Sequence, residues 1–375
     1  MAVSVFPSSS ASASGEVTTY YGITEAGTYT VDLPAGVYDL TSSKEVTVGG
    51  LDVDGTASLS LFPSGIDSLY LKNLYDLDDW ASRTSGFGTT RIRGVAYGDG
   101  LYVAVGESGT LTTSTDGTTW TTRTSGFGTT TIRGVTYGDG LYVAVGESGK
   151  LTTSTNGTTW TTRTSGFGST AILGVTYGDG LYVAVGESGK LTTSTNGTTW
   201  TTRTSGFGTT TIRGVTYGDG LYVAVGYDGK LTTSTNGTTW TTRTSEFGTT
   251  PIDGVTYGNG LFVAVGDSGK ISTSPDGATW TARTAGVGTN EIFAVTYGDG
   301  VFVAVGSEGV MTTSLDGITW TTRTSGFGTT AIRGVTHGDG LYVAVGDSGK
   351  LTTNSAVADS AVITITPKTP SVLLP

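Results

Sequence analysis

Hydrophobic and polar positions alternate with period two over short stretches, and from Trp80 onward the whole pattern returns every 40 residues. In one unit the alternating stretches are 132–137, 141–145, 150–154 and 159–164, and glycine-containing turns separate them. Alternation among β-branched and aromatic residues predicts strands, and the Asp-Gly and Asn-Gly pairs between them predict tight hairpins. Four short antiparallel strands in 40 residues are typical of one propeller blade.

The number of blades follows from the second stretch of each unit. Leu-Tyr-Val-Ala-Val-Gly, or a close variant, begins at positions 101, 141, 181, 221, 261, 301 and 341. The seventh unit ends without its fourth stretch, whereas a spare copy of that stretch, 80–84, precedes the first unit. A ring removes the exposed edges of a linear array. The sequence therefore predicts an all-β fold with a seven-bladed propeller closed by an N-terminal strand.

The segments outside the repeat have a different character. Residues 1–15 are small and serine-rich, which predicts a flexible arm. Residues 16–76 contain several short alternating stretches with glycine turns and predict a small all-β domain. The C-terminal segment 356–375 contains one more such stretch, which we expect to pair with that domain. The propeller is predicted to span 77–355.

A tryptophan closes the third hairpin of the first six units, and Trp80 stands one period ahead of them without that hairpin. These seven residues are expected to be structural: Trp80, Trp120, Trp160, Trp200, Trp240, Trp280 and Trp320. Each is followed three residues later by an arginine, Arg83 through Arg323, whose alkyl stem we expect to cover apolar surface.

The segment Ser114-Thr115-Asp116-Gly117-Thr118-Thr119-Trp120 resembles the Asp-box hairpin of sialidase-type propellers. The resemblance covers residues 80 to 354 and implies that the Ser and Asp side chains tie the turn while the Trp packs between blades. It also implies a structural role without activity. The segment departs from the usual box by being one residue shorter and by carrying Asn at 156, 196 and 236.

A second, compositional resemblance concerns the termini. A serine-rich arm, a small β domain and a repetitive all-β body look like bacteriophage virion proteins such as tail fibres or capsid and tail appendages. This resemblance implies a location on the virion and attachment to other virion proteins through the terminal β domain. A host surface receptor or glycan would then be the partner of the displayed propeller.

Composition narrows the function classes further. The net charge of −11 disfavours a nucleic-acid partner, because such a partner requires a basic surface. The sequence has no cysteine, which excludes disulfides and thiolate metal ligands. The first residues lack the pattern of a signal peptide, and no apolar run is long enough to span a membrane. We expect no cofactor and no metal, and an oligomer is compatible with the sequence.

Comparison of the seven units locates their differences. Three places vary most. They are the residue just ahead of the first strand, the second residue of that strand, and the turn between the second and third strands. In a four-stranded meander these places share one face, whereas the constant Gly-Asp-Gly and Asn-Gly turns lie on the other. Variable loops on a rigid scaffold commonly carry recognition. Free drift of exposed loop tips explains the variation equally well.

The candidate ligand-binding residues are those at which the units differ on this rim. They are Tyr227, Asp228, Phe293, Glu291, Glu308, Asp253, Arg93, Arg133, Arg213 and Arg333. We favour the aromatic positions, because an exposed ring offers apolar area beside polar partners and so suits a sugar. The acidic turn residues are expected to pair with Lys150, Lys190, Lys230, Lys270 and Lys350 and so to contribute little.

Three functions are compatible with these observations. The first is a non-enzymatic phage virion protein that displays the propeller for receptor or glycan binding, or decorates the particle. The second is a cellular or secreted lectin-like propeller. The third is a sialidase-like glycoside hydrolase, which nearly identical units disfavour because a glycosidase needs one specialised pair of carboxylates.

Overall fold

The computed structural model describes residues 77–355 and seven strands within the terminal segments. Those strands are β1 (Ala2–Pro7), β2 (Thr18–Tyr21), β3 (Gly27–Thr30), β4 (Val37–Ser42), β5 (Val46–Val48), β6 (Ser68–Lys72) and β35 (Val362–Pro367). The chain divides into two compact units, one of Met1–Asp76 with Ser355–Pro375 and one of Leu77–Asn354.

The unit Leu77–Asn354 consists of seven four-stranded antiparallel sheets. Blade 1 contains β8 (Ile92–Gly98), β9 (Leu101–Gly106), β10 (Leu111–Ser114) and β11 (Thr121–Arg123). Blade 2 contains β12 (Ile132–Gly138), β13 (Leu141–Gly146), β14 (Lys150–Ser154) and β15 (Thr161–Thr164). Blade 3 contains β16 (Ile172–Gly178), β17 (Leu181–Gly186), β18 (Lys190–Ser194) and β19 (Thr201–Thr204). Blade 4 contains β20 (Ile212–Gly218), β21 (Leu221–Gly226), β22 (Leu231–Ser234) and β23 (Thr241–Arg243). Blade 5 contains β24 (Ile252–Gly258), β25 (Leu261–Gly266), β26 (Lys270–Ser274) and β27 (Thr281–Thr284). Blade 6 contains β28 (Ile292–Gly298), β29 (Val301–Gly306), β30 (Met311–Ser314) and β31 (Thr321–Thr322). Blade 7 contains β32 (Ile332–Gly338), β33 (Leu341–Gly346), β34 (Lys350–Ser355) and β7 (Ala81–Thr84).

A single 3-10 turn joins the second and third strands of every blade. These turns are Glu107–Gly109, Glu147–Gly149, Glu187–Gly189, Tyr227–Gly229, Asp267–Gly269, Ser307–Gly309 and Asp347–Gly349. Among the described residues no helix is long and apolar enough to cross a membrane.

The blades form a closed ring, as the sequence predicts. The first strand of each blade contacts the first strands of both neighbouring blades, and β32 contacts β8 to complete the circle. The first strands are therefore innermost. The early strand β7 completes blade 7 by pairing with β34, with Leu351 opposite Arg83 and Thr353 opposite Ala81. The spare stretch at one end of the repeat thus replaces the missing stretch at the other.

The hydrophobic core lies between blades rather than within them. Val103 and Leu111 of blade 1 pack with Phe127 and Tyr142, and all four side chains are at most 1% exposed. Because alternate residues of a strand point to opposite faces, each middle strand presents apolar side chains to both neighbouring blades. The Tyr142 hydroxyl donates a hydrogen bond to the Gly98 carbonyl of the preceding blade. Each blade thus depends on its neighbours for its core.

In blades 1 to 6 the third hairpin is tied by side chains. Ser114 Oγ donates to Asp116 Oδ1 at 2.9 Å, and the same oxygen accepts the amides of Thr118 and Thr119 at 2.8 Å. These hydrogen bonds, led by that from the Thr119 amide, hold the pKa of Asp116 well below its usual range. Where the turn carries asparagine, Asn156 Oδ1 accepts the equivalent two amides at 2.9 and 3.0 Å. An amide oxygen therefore replaces the carboxylate without loss of the turn.

Each tryptophan lies just before the fourth strand and reaches the blade core. Trp160 Nε1 donates to the Gly157 carbonyl at 3.0 Å, and the indole lies 6.3 Å from the Tyr142 ring. The following arginine makes a polar contact in addition to covering apolar surface, because Arg163 Nε donates to Thr153 Oγ1 at 3.0 Å. The same bond recurs for Arg83, Arg123, Arg203, Arg243, Arg283 and Arg323.

The described strands of the terminal unit form two sheets, with strand orders β2-β1-β4-β6 and β3-β35-β5. The C-terminal strand β35 thus pairs with two strands of the N-terminal region. Strand β1 lies within the segment 1–15 that the sequence predicts to be a flexible arm. Its sequence Ala-Val-Ser-Val-Phe-Pro alternates and pairs with β2 and β4, which explains the difference. The remainder of the predicted arm lies outside the described residues.

Candidate functional site

The residue after the first isoleucine of every blade lies in a β-bulge. In blade 2, Ile132 pairs with Gly146 and Gly134 pairs with Val145, so Arg133 between them has no partner on β13. The same register shift occurs in all seven blades. The seven bulged residues are Arg93, Arg133, Leu173, Arg213, Asp253, Phe293 and Arg333. Bulges re-aim a side chain and are common beside functional sites.

The bulged residues and the 3-10 turns lie together on one face. Backbone hydrogen bonds join the residue preceding each first strand to the turn, as in Glu107 N to Arg91 O at 3.0 Å and Tyr227 N to Thr211 O at 3.1 Å. Because the first strands are innermost, this face surrounds one end of the ring axis. We call this surface the mouth. It comprises the seven bulged residues, the residues two positions ahead of them and the seven 3-10 turns.

Ion pairs at the mouth link the adjacent blades 7 and 1. Arg333 binds Asp347 through Nε and Nη2, both at 2.9 Å. Arg91 Nε lies 2.5 Å from the same carboxylate, while its Nη1 lies 3.3 Å from Glu107. Burial would raise the pKa of Asp347, but the hydrogen bonds and charges of Arg333 and Arg91 outweigh it and lower that pKa. This carboxylate is therefore held ionised between two blades.

The pairing continues in blades 1 and 2. Arg93 Nη2 lies 2.5 Å from Glu107 Oε1, so that carboxylate serves two arginines. Arg133 Nε donates to Glu147 Oε1 at 2.7 Å. The partners in Arg93–Glu107, Arg133–Glu147 and Arg333–Asp347 are all 14 residues apart, one from the bulge and one from the turn of the same blade.

Blades 4 and 5 have a different arrangement, centred on Arg213. Its guanidinium lies over the Tyr227 ring, 5.1 Å from the centroid, and Nη1 donates to the Tyr227 hydroxyl at 2.9 Å. Its Nε lies 2.5 Å from Asp253 Oδ1 of the next blade. Tyr227 nevertheless remains 40% exposed, the most exposed aromatic side chain of the described residues. Arg213 therefore holds an exposed aromatic ring in a fixed position.

Asp253 is the one acidic residue at a bulge, and its side chain is only 2% exposed. Although Arg213 is close, neither carboxylate oxygen accepts a hydrogen bond of ordinary geometry. Burial is the main cause that raises the pKa of Asp253 to about 7; Arg213 opposes the rise, whereas Asp267 and Glu291 reinforce it. The candidate residue Asp253 is thus a buried acid and not an exposed contact.

The other candidate residues differ in exposure. Phe293 is half-buried beneath Arg333, whose guanidinium carbon lies 4.4 Å from the ring centroid. Glu291, Asp228 and Glu308 are exposed. The structure therefore brings all ten candidates to the mouth but leaves Tyr227 as the more accessible of the two aromatic positions.

The predicted pairing of turn acids with lysines is wrong. Lys150 Nζ donates to the Phe127 carbonyl at 2.9 Å and to Thr130 Oγ1 at 2.8 Å, both in the loop that enters its blade. Lys190, Lys230 and Lys270 repeat both bonds. The bulge directs an arginine to the turn acid, and the lysine stem on the third strand reaches the neighbouring loop.

The opposite face carries the constant turns. Tyr97 packs against Tyr102 at 4.5 Å between ring centroids, and an equivalent aromatic pair recurs in blades 2 to 6. In blade 7 the ring is His337, 3.2 Å from Asp299, and burial lowers the pKa of His337 despite that carboxylate. Among the described residues no group of three or more His, Asp or Glu side chains is arranged to hold a metal ion. His337 thus replaces a packing tyrosine.

Comparison with known proteins supports the fold. The model of the DUF6242 beta propeller domain matches residues 122–252, less than half of the chain. No curated protein matches. Among solved structures, YCF48 bound to D1 peptide has a TM-score of 0.62 at 17% identity over 75% of this chain and 96% of that one. Virginiamycin B lyase from Staphylococcus aureus has a TM-score of 0.68 at 13% identity over 74% of this chain and 99% of that one. At such identities the likeness shows the propeller fold alone.

Proposed function

We propose that this protein is a non-enzymatic binding protein and that the mouth is its recognition surface. One observation carries the proposal: the units differ most at the mouth, and there a bulge in every blade directs the variable residue toward the same end of the ring axis. Away from the mouth the main contacts of the scaffold recur, such as the bond from an outer-strand arginine to a threonine of the third strand in all seven blades. A scaffold that is constant except on one ringed face is the arrangement expected for recognition by loops on rigid strands.

Tyr227 is the favoured contact within that surface. It is exposed, and Arg213 orients it by stacking and by a hydrogen bond to its hydroxyl. An oriented ring beside exposed polar groups suits the apolar face of a sugar or an aromatic group of a protein receptor. Asp228 of the same turn supplies an acceptor for hydroxyl groups, and Glu308 supplies another on the turn of blade 6.

The setting that we propose is a phage virion. The support is the arrangement along the chain: a serine-rich start, a terminal β unit that incorporates both chain ends, and a repetitive all-β body. In this proposal the terminal unit attaches to other virion proteins, the propeller faces a host glycan or receptor, and neither nucleic acid nor membrane insertion is involved. A cellular or secreted lectin-like propeller is the alternative that uses the same mouth.

The proposal is tested by binding of the purified protein to host cells and to a glycan array. The variants are Tyr227→Glu and Phe293→Arg, since other blades carry those residues at the same positions and the new carboxylate retains a partner in Arg213. The control is Asn259→Asp on the opposite face, which introduces the aspartate that the other six blades carry. We expect the double variant to lose at least tenfold in affinity and the control to lose nothing. Equal binding by all three proteins, with equal melting temperatures, would show that the variation at the mouth is drift.

A further inference from the structure

Blade 1 has one more arginine at the mouth than any other blade. Arg91 lies two positions ahead of the bulged Arg93, and both side chains contact Oε1 of Glu107 in the turn, at 3.3 Å from Arg91 Nη1 and 2.5 Å from Arg93 Nη2. The residues equivalent to Arg91 in the other blades are Thr131, Ala171, Thr211, Pro251, Glu291 and Ala331. Blade 1 therefore brings two guanidinium groups to one carboxylate oxygen.

The charged contacts extend from blade 1 to blade 7. The Asp347 carboxylate lies 2.5 Å from Arg91 Nε and accepts hydrogen bonds from Nε and Nη2 of Arg333. Among the described residues, Asp347 and Glu107 are the only carboxylates that pair with these three arginines. We call Arg91, Arg93, Arg333, Glu107 and Asp347 the arginine cluster. Its three guanidinium groups share two carboxylates, so the cluster retains one positive charge.

The arginine cluster also has more donors than acceptors. Arg91 Nη2, Arg93 Nη1 and Arg333 Nη1 donate no hydrogen bond to the part of the chain that the structure describes, and Arg93 Nε is buried there without an acceptor. Burial lowers the pKa of Arg93, and the hydrogen bond to Glu107 opposes this change. The neighbouring charges of Arg133 and Arg91 lower that pKa further. An additional anion beside Arg93 would offset this concentration of positive charge.

A ligand at the mouth can reach the arginine cluster. The five side chains are 19% to 35% exposed, which is partial burial without enclosure. The turns that hold the two acids also contain Ser108 and Ser348, and both serines are exposed. The cluster thus places guanidinium donors close to hydroxyl groups that can donate or accept hydrogen bonds.

The opposite face of the propeller has a different charge. Its constant turns and third hairpins carry nine aspartates and no lysine or arginine, and members such as Asp99 and Asp116 are exposed. An anionic ligand is repelled by that face. The summed charges of a protein influence the side from which a charged ligand approaches, so an anionic ligand is directed toward the mouth.

We propose that the arginine cluster binds the carboxylate or sulfate group of an acidic sugar, with Arg91, Arg93 and Arg333 as its anion-binding residues. Guanidinium groups bind such oxyanions through charge-assisted hydrogen bonds, often in pairs. Ser108 and Ser348 bind hydroxyl groups of the same sugar. This inference rests on the function proposed for the mouth and adds the chemical class of its ligand.

Calorimetry of the full-length protein at constant ionic strength compares tetragalacturonate, its methyl ester and sodium sulfate. We expect tetragalacturonate to bind and the ester to bind at least tenfold more weakly, because esterification removes the anionic groups. Sulfate is expected to be weaker than tetragalacturonate, because it lacks the sugar hydroxyls. Sulfate binding of equal strength would assign the cluster to a free anion and overturn the sugar part of the proposal. No binding of tetragalacturonate, or equal binding of acid and ester, would overturn it entirely.

The variants are Arg91→Thr and Arg93→Leu, since other blades carry those residues at the same positions. Each is expected to weaken tetragalacturonate binding at least fivefold. Lys190→Thr is the matched control, because it also removes one positive charge, introduces the residue that blade 1 carries at the equivalent position, and lies outside the mouth on blade 3. Equal losses in Arg91→Thr and the control, with equal melting temperatures, would show that general charge and not the cluster binds the anion.

The experiment separates this inference from the function proposed for the mouth. Unchanged binding to host cells by the double variant of Tyr227 and Phe293 would contradict the proposed function. Equal binding of tetragalacturonate and its ester would contradict the anion site alone and would leave the mouth as a surface for neutral ligands.

Discussion

Asp253 shows how one residue changes the chemistry of a repeated position. At the same bulge four blades carry arginine, which pairs with an acid of the turn or of the next blade. Asp253 instead faces Asp267 of its own turn and depends on Arg213 of the preceding blade. A carboxylate in this place is buried among like charges, and the proton that relieves the repulsion is bound near neutral pH.

The stability of the protein should therefore depend on pH through Asp253. Its pKa is raised from 3.8 to about 7 on folding, so the folded state holds a proton that the unfolded state has lost. The resulting destabilisation is absent below about pH 4, grows as the pH rises, and is complete above about pH 7. We expect Asp253→Asn to stabilise the protein by about 1–3 kcal/mol at pH 8 and to change little at pH 4.

Thermal unfolding of wild type and variant between pH 4 and 8 measures this effect. Asp219→Asn, an exposed change in a constant turn, is the control and should show no pH-dependent difference. A variant that is destabilised at pH 8 would mean that the ion pair with Arg213 outweighs the burial of the carboxylate.

At the scale of the element, the tryptophan before each fourth strand joins one blade to the next. The seven copies are not equally buried: Trp280 is 5% exposed, whereas Trp200 is half-buried. Both donate Nε1 to the glycine carbonyl of their own turn at 3.0 Å. The hydrogen bond is thus the same in the two blades, and only the buried area differs.

This difference predicts unequal effects of truncation. We expect Trp280→Ala to destabilise the protein by about 3–5 kcal/mol, and Trp200→Ala by roughly half as much because less apolar surface is lost. Chemical denaturation of the two variants measures the difference. Equal losses would show that the hydrogen-bonded turn, and not the packing of the indole, is what each tryptophan contributes.

At the scale of the whole molecule, ring closure depends on a short strand from the N-terminal side of the repeat. Strand β7 covers the edge of β34, and Ser85 Oγ donates to the Gly349 carbonyl at 2.7 Å to hold the same joint. Without β7, blade 7 would have three strands and an exposed edge. The joint is thus the point at which the two ends of the repeat meet.

Deletion of residues 1–85 should therefore lower the melting temperature and cause self-association, whereas deletion of 1–76 should leave the propeller closed. Light scattering and thermal unfolding of the two truncated proteins provide the measurement. If the longer deletion remained monomeric with the melting temperature of the shorter one, closure by β7 would not stabilise the ring.

The 40-residue period by itself determined the blades, their number and the closing strand, because each unit carries its own alternation and turn residues and the extra and missing stretches are complementary. The sequence also indicated that the variable residues lie on one side of the ring. Successive antiparallel strands run in opposite directions, so the order of the strands decides the side on which each loop lies. These are consequences of local hydrogen bonding, which a sequence encodes within a few neighbouring residues.

The tertiary structure alone decided which side chains meet at the mouth. Identical units gave no sign of the bulge that displaces Arg133 from its ladder, or of the contacts of Arg213 with Asp253 and of Arg91 with Asp347 in adjoining blades. The 14-residue spacing of Arg133 and Glu147 is visible in the sequence and could have indicated their ion pair. The sequence also places a lysine close to the same acid, so it did not decide between the two partners. Distances across a ring of seven sheets decide such choices, because a carboxylate binds the nearest donor in space whatever its position in the chain.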